Sequence, residues 1–586
     1  MLILRLTQVA EGRKRNRVEL SLEGRGARHA AVSRFVFAVT EQDREDVRWY
    51  LEDFLQYPLD PAPRIARRIE QRMAEIGREL FNAVFHSNDD ARDLWAALRP
   101  NLSDARVEIV TTVEEASLFP WELLRDPKTN IPLALRARSF IRAHPQAAEQ
   151  PHLPEGDLGT IRILLVICRP GGADDVPFRS VASRLMKGLS EADPDSVHLD
   201  VLRPPTFEQL SRVLREAKSN AAPYHVVHFD GHGTYTERGP RDGAHGYLLF
   251  ENPALQDNFQ LIDGPALGSL LSETQVPLLI LNSCRSAHAD PPVKPVAVTS
   301  GTTDLHAKIR ALGSLAHEIT ETGASAVVAM RYNVYVETAG QFIAELYEAL
   351  AHGYTVGEAV TLGRKQLAAQ PLRSIAFDPL PLEDWPVPVV FEAAPVTLFT
   401  RRRGAGATKI KITLGKDEAS PKHRALDPQL PRRPDPGFFG RDDTLLALDR
   451  AFDTQSIILM HAWAGGGKTT TAAEFARWYA LTGGVEGPVI FTSFEQYKPL
   501  ARVLDEFGTA FHNELTGSGV HWLALDDDSR IKIALQVMGQ ISVLWIWDNV
   551  ESVAGFPAGT PSLFNSNEQR ELSEFLRAAR DTKAKG

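Results

Sequence analysis

The chain has 586 residues, 43% of them hydrophobic and 24% charged, and a formal net charge of -10 at neutral pH. At about 150 residues per domain this length predicts roughly four units with ample core, and the acidic balance argues against nucleic acid as the partner of the whole chain. Two cysteines exclude a disulfide framework and point to a reducing cytoplasm, while the opening Met-Leu-Ile-Leu-Arg-Leu and the lack of any run of about 18 apolar residues predict neither a secretion signal nor a membrane span.

In chain order, residues 2–9, 17–22 and 33–39 alternate or run apolar between Gly- and Arg-rich turns, which predicts a small antiparallel sheet. Helical spacing follows over 41–55 and 65–84. There Ile65, Ile69, Met73, Ile76, Leu80 and Val84 recur at three and four residues, with a solvated Arg/Glu face between them. Residues 107–112 predict another strand. From 161 onward strands and helices alternate: a strand over 161–167, a helix over 181–189, a strand over 198–202, a helix over 207–217 and strands over 224–229 and 277–283. Such alternation predicts βαβ units around a parallel sheet. Residues 286–303, rich in Ala, Pro, Ser, Thr and Gly, read as a loop. Helices over 312–322, 336–351 and 355–369, with the apolar run 325–330, complete the sheet.

Two of these strands carry chemistry. The run 224–229 breaks into Asp230, Gly231, His232 and Gly233, and the run 277–283 leads to Cys284. In an open α/β sheet the carboxyl ends of strands line the binding crevice, which would bring His232 and Cys284 to one rim. A thiol near its ordinary pKa is a weak nucleophile at neutral pH, and an imidazole within reach can take its proton. Gly231 and Gly233 keep side chains clear of that imidazole, and the backbone N–H groups of Gly233 and Cys284 are candidates for an oxyanion hole. His225 and His228 alternate with apolar residues inside their strand and read as structural. Cys168 closes an apolar run as a small hydrophobe.

The motifs His228-Phe-Asp-Gly-His-Gly233, Leu281-Asn-Ser-Cys284 and Gly323-Ala-Ser-Ala-Val-Val-Ala-Met330 resemble the CHAT domain, a caspase-like cysteine peptidase family related to separases and metacaspases. Phe119-Pro-Trp-Glu-Leu-Leu124 and Tyr347-Glu-Ala-Leu-Ala-His-Gly353 extend the resemblance over roughly the first two-thirds of the chain. It implies a caspase-like sheet with flanking helices, an amino-terminal part over 1–150 supporting a catalytic part over 151–398, a protein substrate, His232 as general base and Cys284 as nucleophile. Many metacaspases carry an acid two residues before the nucleophile and accept basic residues; Asn282 stands there, so the resemblance does not extend to that preference.

After residue 398 the composition shifts to basic residues mixed with Pro, Gly and Ser, a linker over 399–435 around a short strand at 409–414. A second chemical site lies in 436–586. An apolar strand over 456–460 precedes Ala462-Trp-Ala-Gly-Gly-Gly-Lys-Thr-Thr470 and a helix. Strand, glycine loop and helix predict a phosphate cradle in which Gly465, Gly467, Lys468, Thr469 and Thr470 bind nucleotide and Thr469 ligates Mg²⁺. Residues 541–547 end on Asp548, the acid such a loop uses to hold Mg²⁺ through water. With Phe438-Phe-Gly-Arg-Asp-Asp443 ahead of the loop, this region resembles the STAND NTPases, which include the NB-ARC and NACHT groups. The resemblance implies an ATP/ADP switch with self-association through the P-loop part. Asn549 replaces a second acid of some relatives, which implies slow hydrolysis. Relatives also carry a sensor region, expected here on a missing part or a partner.

Together these readings predict a cysteine endopeptidase effector controlled by a nucleotide switch, in bacterial signalling or defence. The alternative is a catalytically silent CHAT binding module on a nucleotide-dependent oligomerisation scaffold, distinguished by a Cys284 as slow to alkylate as a buried thiol.

Overall fold

The computed structural model of the chain describes residues 2–10, 16–24, 27–111, 120–143, 161–172, 197–239, 242–282, 315–332, 334–373, 379–398, 426–434, 438–463, 465–556 and 561–586. The predicted helix over 181–189, the loop over 286–303 and the strand over 409–414 fall outside these residues. Two units are resolved: Met1–His198 with Pro205–Leu414, and Leu199–Pro204 with Gly415–Gly586. Among the described residues no helix is long and apolar enough to cross a membrane.

The strands of the first unit begin with β1 (Leu2–Ala10), β2 (Asn16–Gly24), β3 (Ala27–Phe35), β4 (Ala105–Thr111) and β5 (Ser139–Ala143). There follow β6 (Ile161–Ile167), β7 (Val197–Val201, of which Val197 and His198 belong to this unit), β8 (Val226–Asp230), β9 (Gly233–Gly239), β10 (Asp242–Glu251) and β11 (Phe259–Asp263). The last are β12 (Leu278–Asn282), β13 (Ala326–Met330), the short pair β14 (Leu372–Arg373) and β15 (Leu380–Pro381), and β16 (Pro388–Glu392). Eleven of them form one mixed sheet in the order β3-β2-β1-β4-β5-β16-β13-β12-β8-β6-β7. The antiparallel β1–β3 are therefore the flank of a larger sheet, because β1 also pairs in parallel with β4, Leu4 opposite Val107. The third strand lies earlier than its apolar pattern suggests, at Ala27–Phe35, where its antiparallel register with β2 sets Leu20 opposite Ala31. Val36, beyond it, is exposed.

In the middle of the sheet β6, β8, β12 and β13 run parallel. Every residue of β8, β12 and β13 is buried, as expected for parallel strands covered on both faces. The amphipathic helix Ala62–Phe85 buries Ile69, Met73, Ile76, Leu80 and Val84 along one stripe. Its mid-helix Gly77 has a packing reason. A Cβ there would lie 2.1 Å from the Leu123 carbonyl oxygen, so glycine admits the Trp121–Leu123 turn directly against the helix backbone. Helix Val356–Ala369 starts on a capping box between Thr355 and Glu358, and the predicted helix over 41–55 stops at Glu52, followed by the 3-10 turn Phe54–Gln56.

In the second unit β17 (Val489–Ser493) pairs in parallel with β18 (Leu544–Asp548), Ser493 opposite Asp548. Phe507, Trp545, Phe575 and Met538 belong to its core. The strand predicted over 456–460 does not form. Among the described residues its backbone meets a partner at one place, where Ile458 N donates to Gly586 O at 2.7 Å and Gly586 N to Ser456 O at 2.9 Å. Beyond that contact it borders an apolar cavity of about 750 Å³ shared with Ile546, Trp547 and Phe575, and Leu459 is 73% exposed. A strand needs a repeating partner along its edge, and one two-residue contact does not supply it.

Candidate functional site

The carboxyl ends of β6, β8 and β12 meet at one rim. Asp230, the last residue of β8, lies opposite Ile167 of β6 and opposite Asn282, the last residue of β12. His232 leaves the sheet two residues beyond Asp230 and is half-buried. Cys284 comes two residues after Asn282 in the sequence and lies outside the described residues. The segment carrying His232 is fixed by its backbone: Gly231 N donates to Asn282 O at 3.2 Å, and Leu249 N of β10 donates to the carbonyl of His232 itself at 3.0 Å. Gly231 has no room for a side chain, since a Cβ would meet the Phe229 ring at 2.9 Å and the Cys168 Cβ at 3.1 Å.

Gly233 lies opposite Leu248. Because the bond from Leu249 N to His232 O belongs to the neighbouring position, Gly233 and Leu248 form a non-hydrogen-bonded pair. The N–H of Gly233 is thus directed away from β10, where an approaching carbonyl oxygen could meet it.

Beneath this loop lies an ionic cluster that sequence reading missed. Arg169 follows β6 and is buried; its Nη2 donates to Asp230 Oδ2 at 2.7 Å and its Nη1 to the Asp230 and Cys168 carbonyls at 2.8 and 3.0 Å. The Arg169 backbone N donates to Oε1 of buried Glu251 at 2.7 Å. The available signal was a charged residue two positions after the end of the mainly apolar strand Ile161–Ile167. Cys168 is buried, its Sγ 3.5 Å from the Pro205 carbonyl, as a structural thiol should be.

The other two histidines of this stretch are interior. His225 Nδ1 accepts from Arg162 N at 3.0 Å, and burial with the nearby Arg162 charge lowers its pKa to about 4. His228 Nδ1 lies 3.3 Å from the Tyr347 hydroxyl, and burial lowers its pKa to about 3. Both are neutral in the folded protein well below their ordinary value. Between pH 6.5 and those folded values the unfolded chain binds protons that the native state refuses, so stability falls as pH drops, by about 1.4 kcal/mol per pH unit for each histidine. A His228→Gln protein is expected to lose one histidine's share of that slope, about 2 kcal/mol between pH 7 and pH 5. Urea midpoints of both proteins at the two pH values check this.

In the second unit the residues of the glycine loop converge. Gly465 and Gly467 adopt φ of 76° and 74°, which glycine tolerates without strain. Helix Lys468–Leu481 begins directly after them, so Lys468, Thr469 and Thr470 occupy its first turn. The Lys468 ammonium donates to the Ala462 carbonyl at 3.0 Å, and Arg441 Nη2 to the Gly466 carbonyl at 2.7 Å. The Thr469 hydroxyl is 3.0 and 2.9 Å from the two carboxylate oxygens of Asp548, at the end of β18. A hydroxyl and a carboxylate meeting beside a helix amino terminus are the oxygen donors that a Mg²⁺ on a phosphate requires.

A large mixed sheet with parallel strands at its centre is consistent with a caspase-like fold. The family model for the CHAT domain matches residues 74–414, more than half of the chain, and the chain belongs to that family. Solved structures with similarity include Saccharomyces cerevisiae separase in complex with securin, at 14% identity and a TM-score of 0.27 over 59% of this chain and 20% of that one. Another is the complex of Porphyromonas gingivalis RgpB pro- and mature domains, at 11% identity and a TM-score of 0.29 over 62% of this chain and 78% of that one. The chain thus spans about a fifth of the separase chain it matches. No curated protein sequence matches it.

Proposed function

We propose that this CHAT protein is a cysteine endopeptidase in which His232 is the general base and Cys284 the nucleophile, and that the second unit is a nucleotide switch controlling it. The observation that carries the reading is the register of two strand ends: Asp230 lies opposite Asn282, and His232 and Cys284 each follow by two residues. In the proposed reaction His232 takes the Cys284 proton and the thiolate attacks a peptide carbonyl carbon of another protein, forming the C–S bond. The N–H groups of Gly233 and Cys284 receive the developing oxyanion. His232 then returns the proton to the departing amine as the C–N bond breaks, and afterwards takes a proton from the water that hydrolyses the thioester.

The donor set of the second unit supports ATP or ADP with Mg²⁺ as its ligand. Gly465, Gly467 and the amino terminus of helix Lys468–Leu481 would cradle the phosphates, with Lys468 on the outer ones and Thr469 and Asp548 on the cation. Bound Mg²⁺ would neutralise phosphate charge; Lys468 would exchange its bond to the Ala462 carbonyl for one to phosphate. Self-association of this unit upon nucleotide exchange, in response to a sensor region or partner, would then bring the peptidase into action in the cytoplasm as part of a bacterial signalling or defence system.

Cleavage profiling of a bacterial proteome by the protein and its Cys284→Ala variant, each with ATP and Mg²⁺, tests the proposal. Cleavages present only with the intact cysteine are expected. Identical profiles under conditions where ATP drives assembly would show a silent binding module instead.

A further inference from the structure

The buried Arg169 serves no part in the proposed chemistry, yet it sits where the strand bearing His232 leaves the sheet. We infer that Arg169, together with Asp230, is a positioning residue for His232; the inference rests on the proposed Cys284–His232 pair and adds what holds the base in place.

The guanidinium joins two strand ends. One nitrogen binds the carbonyls of Cys168 after β6 and Asp230 at the end of β8, and the other binds the Asp230 carboxylate. Cys168 N also donates to Asp230 O at 2.9 Å, so this carbonyl accepts from both a backbone and a charged donor. From the opposite side Glu251 holds the Arg169 backbone, and Glu251 lies on β10, the strand whose Leu249 fixes the His232 carbonyl. Gly231 is bonded to Asn282, two residues before Cys284. The turn from Asp230 to His232 is therefore tied to β6, β10 and β12, and Arg169 joins the first tie through its guanidinium and reaches β10 through its backbone N–H to Glu251.

The charge explains why arginine and aspartate occur together. A buried carboxylate without a partner would carry a large desolvation cost and draw water into the strand end. Arginine supplies the several donors in fixed geometry that two carbonyls and a carboxylate require, which lysine, a point charge, cannot. In the proposed pair His232 takes the thiol proton, and proton transfer is sensitive to displacements of a fraction of an ångström in the backbone that carries the base.

The test is the pH dependence of Cys284 alkylation by iodoacetamide, read by peptide mass spectrometry on the full chain, with buried Cys168 in the same digest as the reporter of folding. The intact protein is expected to show thiolate reactivity well below the ordinary thiol pKa of about 8.5, and His232→Ala to lose it. Arg169→Gln and Asp230→Asn are expected to move the profile up toward that value and to slow Cys284 at pH 7 roughly tenfold or more while Cys168 stays protected. Arg169→Lys should recover part of the loss. Profiles of Arg169→Gln and Asp230→Asn that superimpose on the intact protein, with His232→Ala displaced, would overturn the positioning role and leave the pair standing. A His232→Ala profile identical to the intact protein's would instead remove the reading on which the inference rests.

Discussion

A His232→Ala protein is expected to cleave its best peptide substrate about a thousandfold more slowly in kcat/KM than the intact protein, with KM little changed. General-base catalysis contributes about 10² to 10⁴ in rate, and a cysteine deprived of its base also loses thiolate at neutral pH. The loss should fall on kcat, because in the proposed reaction the imidazole acts on the proton in flight and not on the bound substrate. Steady-state kinetics on a peptide taken from the cleavage profile decide it, and an unchanged kcat would exclude His232 as the base. The neighbouring histidines supply the contrast. His225 and His228 stand in the same stretch, but both are buried and neutral, with His225 bonded to backbone and His228 beside a tyrosine hydroxyl. His228→Gln should leave kcat near that of the intact protein.

The second large effect is expected in stability. Arg106→Met should destabilise the first unit by about 3 to 5 kcal/mol at pH 7, the usual cost of leaving a buried charge without its partner. Arg106 on β4 donates through Nη1 to Glu392 Oε2 of β16 at 2.8 Å and through Nε to Glu108 Oε1 at 2.8 Å. Glu392 is fully buried and also accepts from Gly357 N at 3.0 Å, at the start of helix Val356–Ala369. Burial raises the Glu392 pKa while the Arg106 charge opposes that rise. Removing the arginine lets the rise go further, so Glu392 should take up a proton on folding. The destabilisation should then shrink as pH falls and the unfolded carboxylate is itself protonated. Glu108 retains Arg5 at 3.0 Å and should contribute less. Denaturant midpoints at pH 7 and pH 5 measure both the loss and its pH dependence; a loss below about 1 kcal/mol at pH 7 would mean that Glu392 is already neutral in the native protein.

Local sequence was sufficient for several elements because short-range physics decides them. The strand at Ile161–Ile167, the helix at Val336–Ala351 and the helix following Thr355 stand where the apolar runs, the spacing and the cap signals place them. The two organising strands were legible for the same reason, since each is a short apolar run in the sequence. Asp230-Gly-His-Gly233 and Ser283-Cys284 follow them in the sequence, and the motifs around them sufficed to suggest the family to which the chain belongs.

What the sequence left open depends on which distant segments pair. The amino-terminal strands read as a separate small sheet because nothing within residues 2–39 reveals that β1 will lie beside β4. The expected strand over 456–460 failed for the converse reason: apolar character makes a segment fit for a sheet, but a strand exists only where a partner runs along it. Arg169 and Arg106 look in the sequence like any other arginine among the chain's charged residues. Only the fold, by bringing strand ends from far apart in the chain against them, turns each into a buried charge with a defined partner. Sequence determined which side chains could do chemistry, because identity and local turn geometry are written residue by residue. Tertiary structure decided which residues hold His232 in place, because hydrogen bonds between strand ends exist only after the register is set.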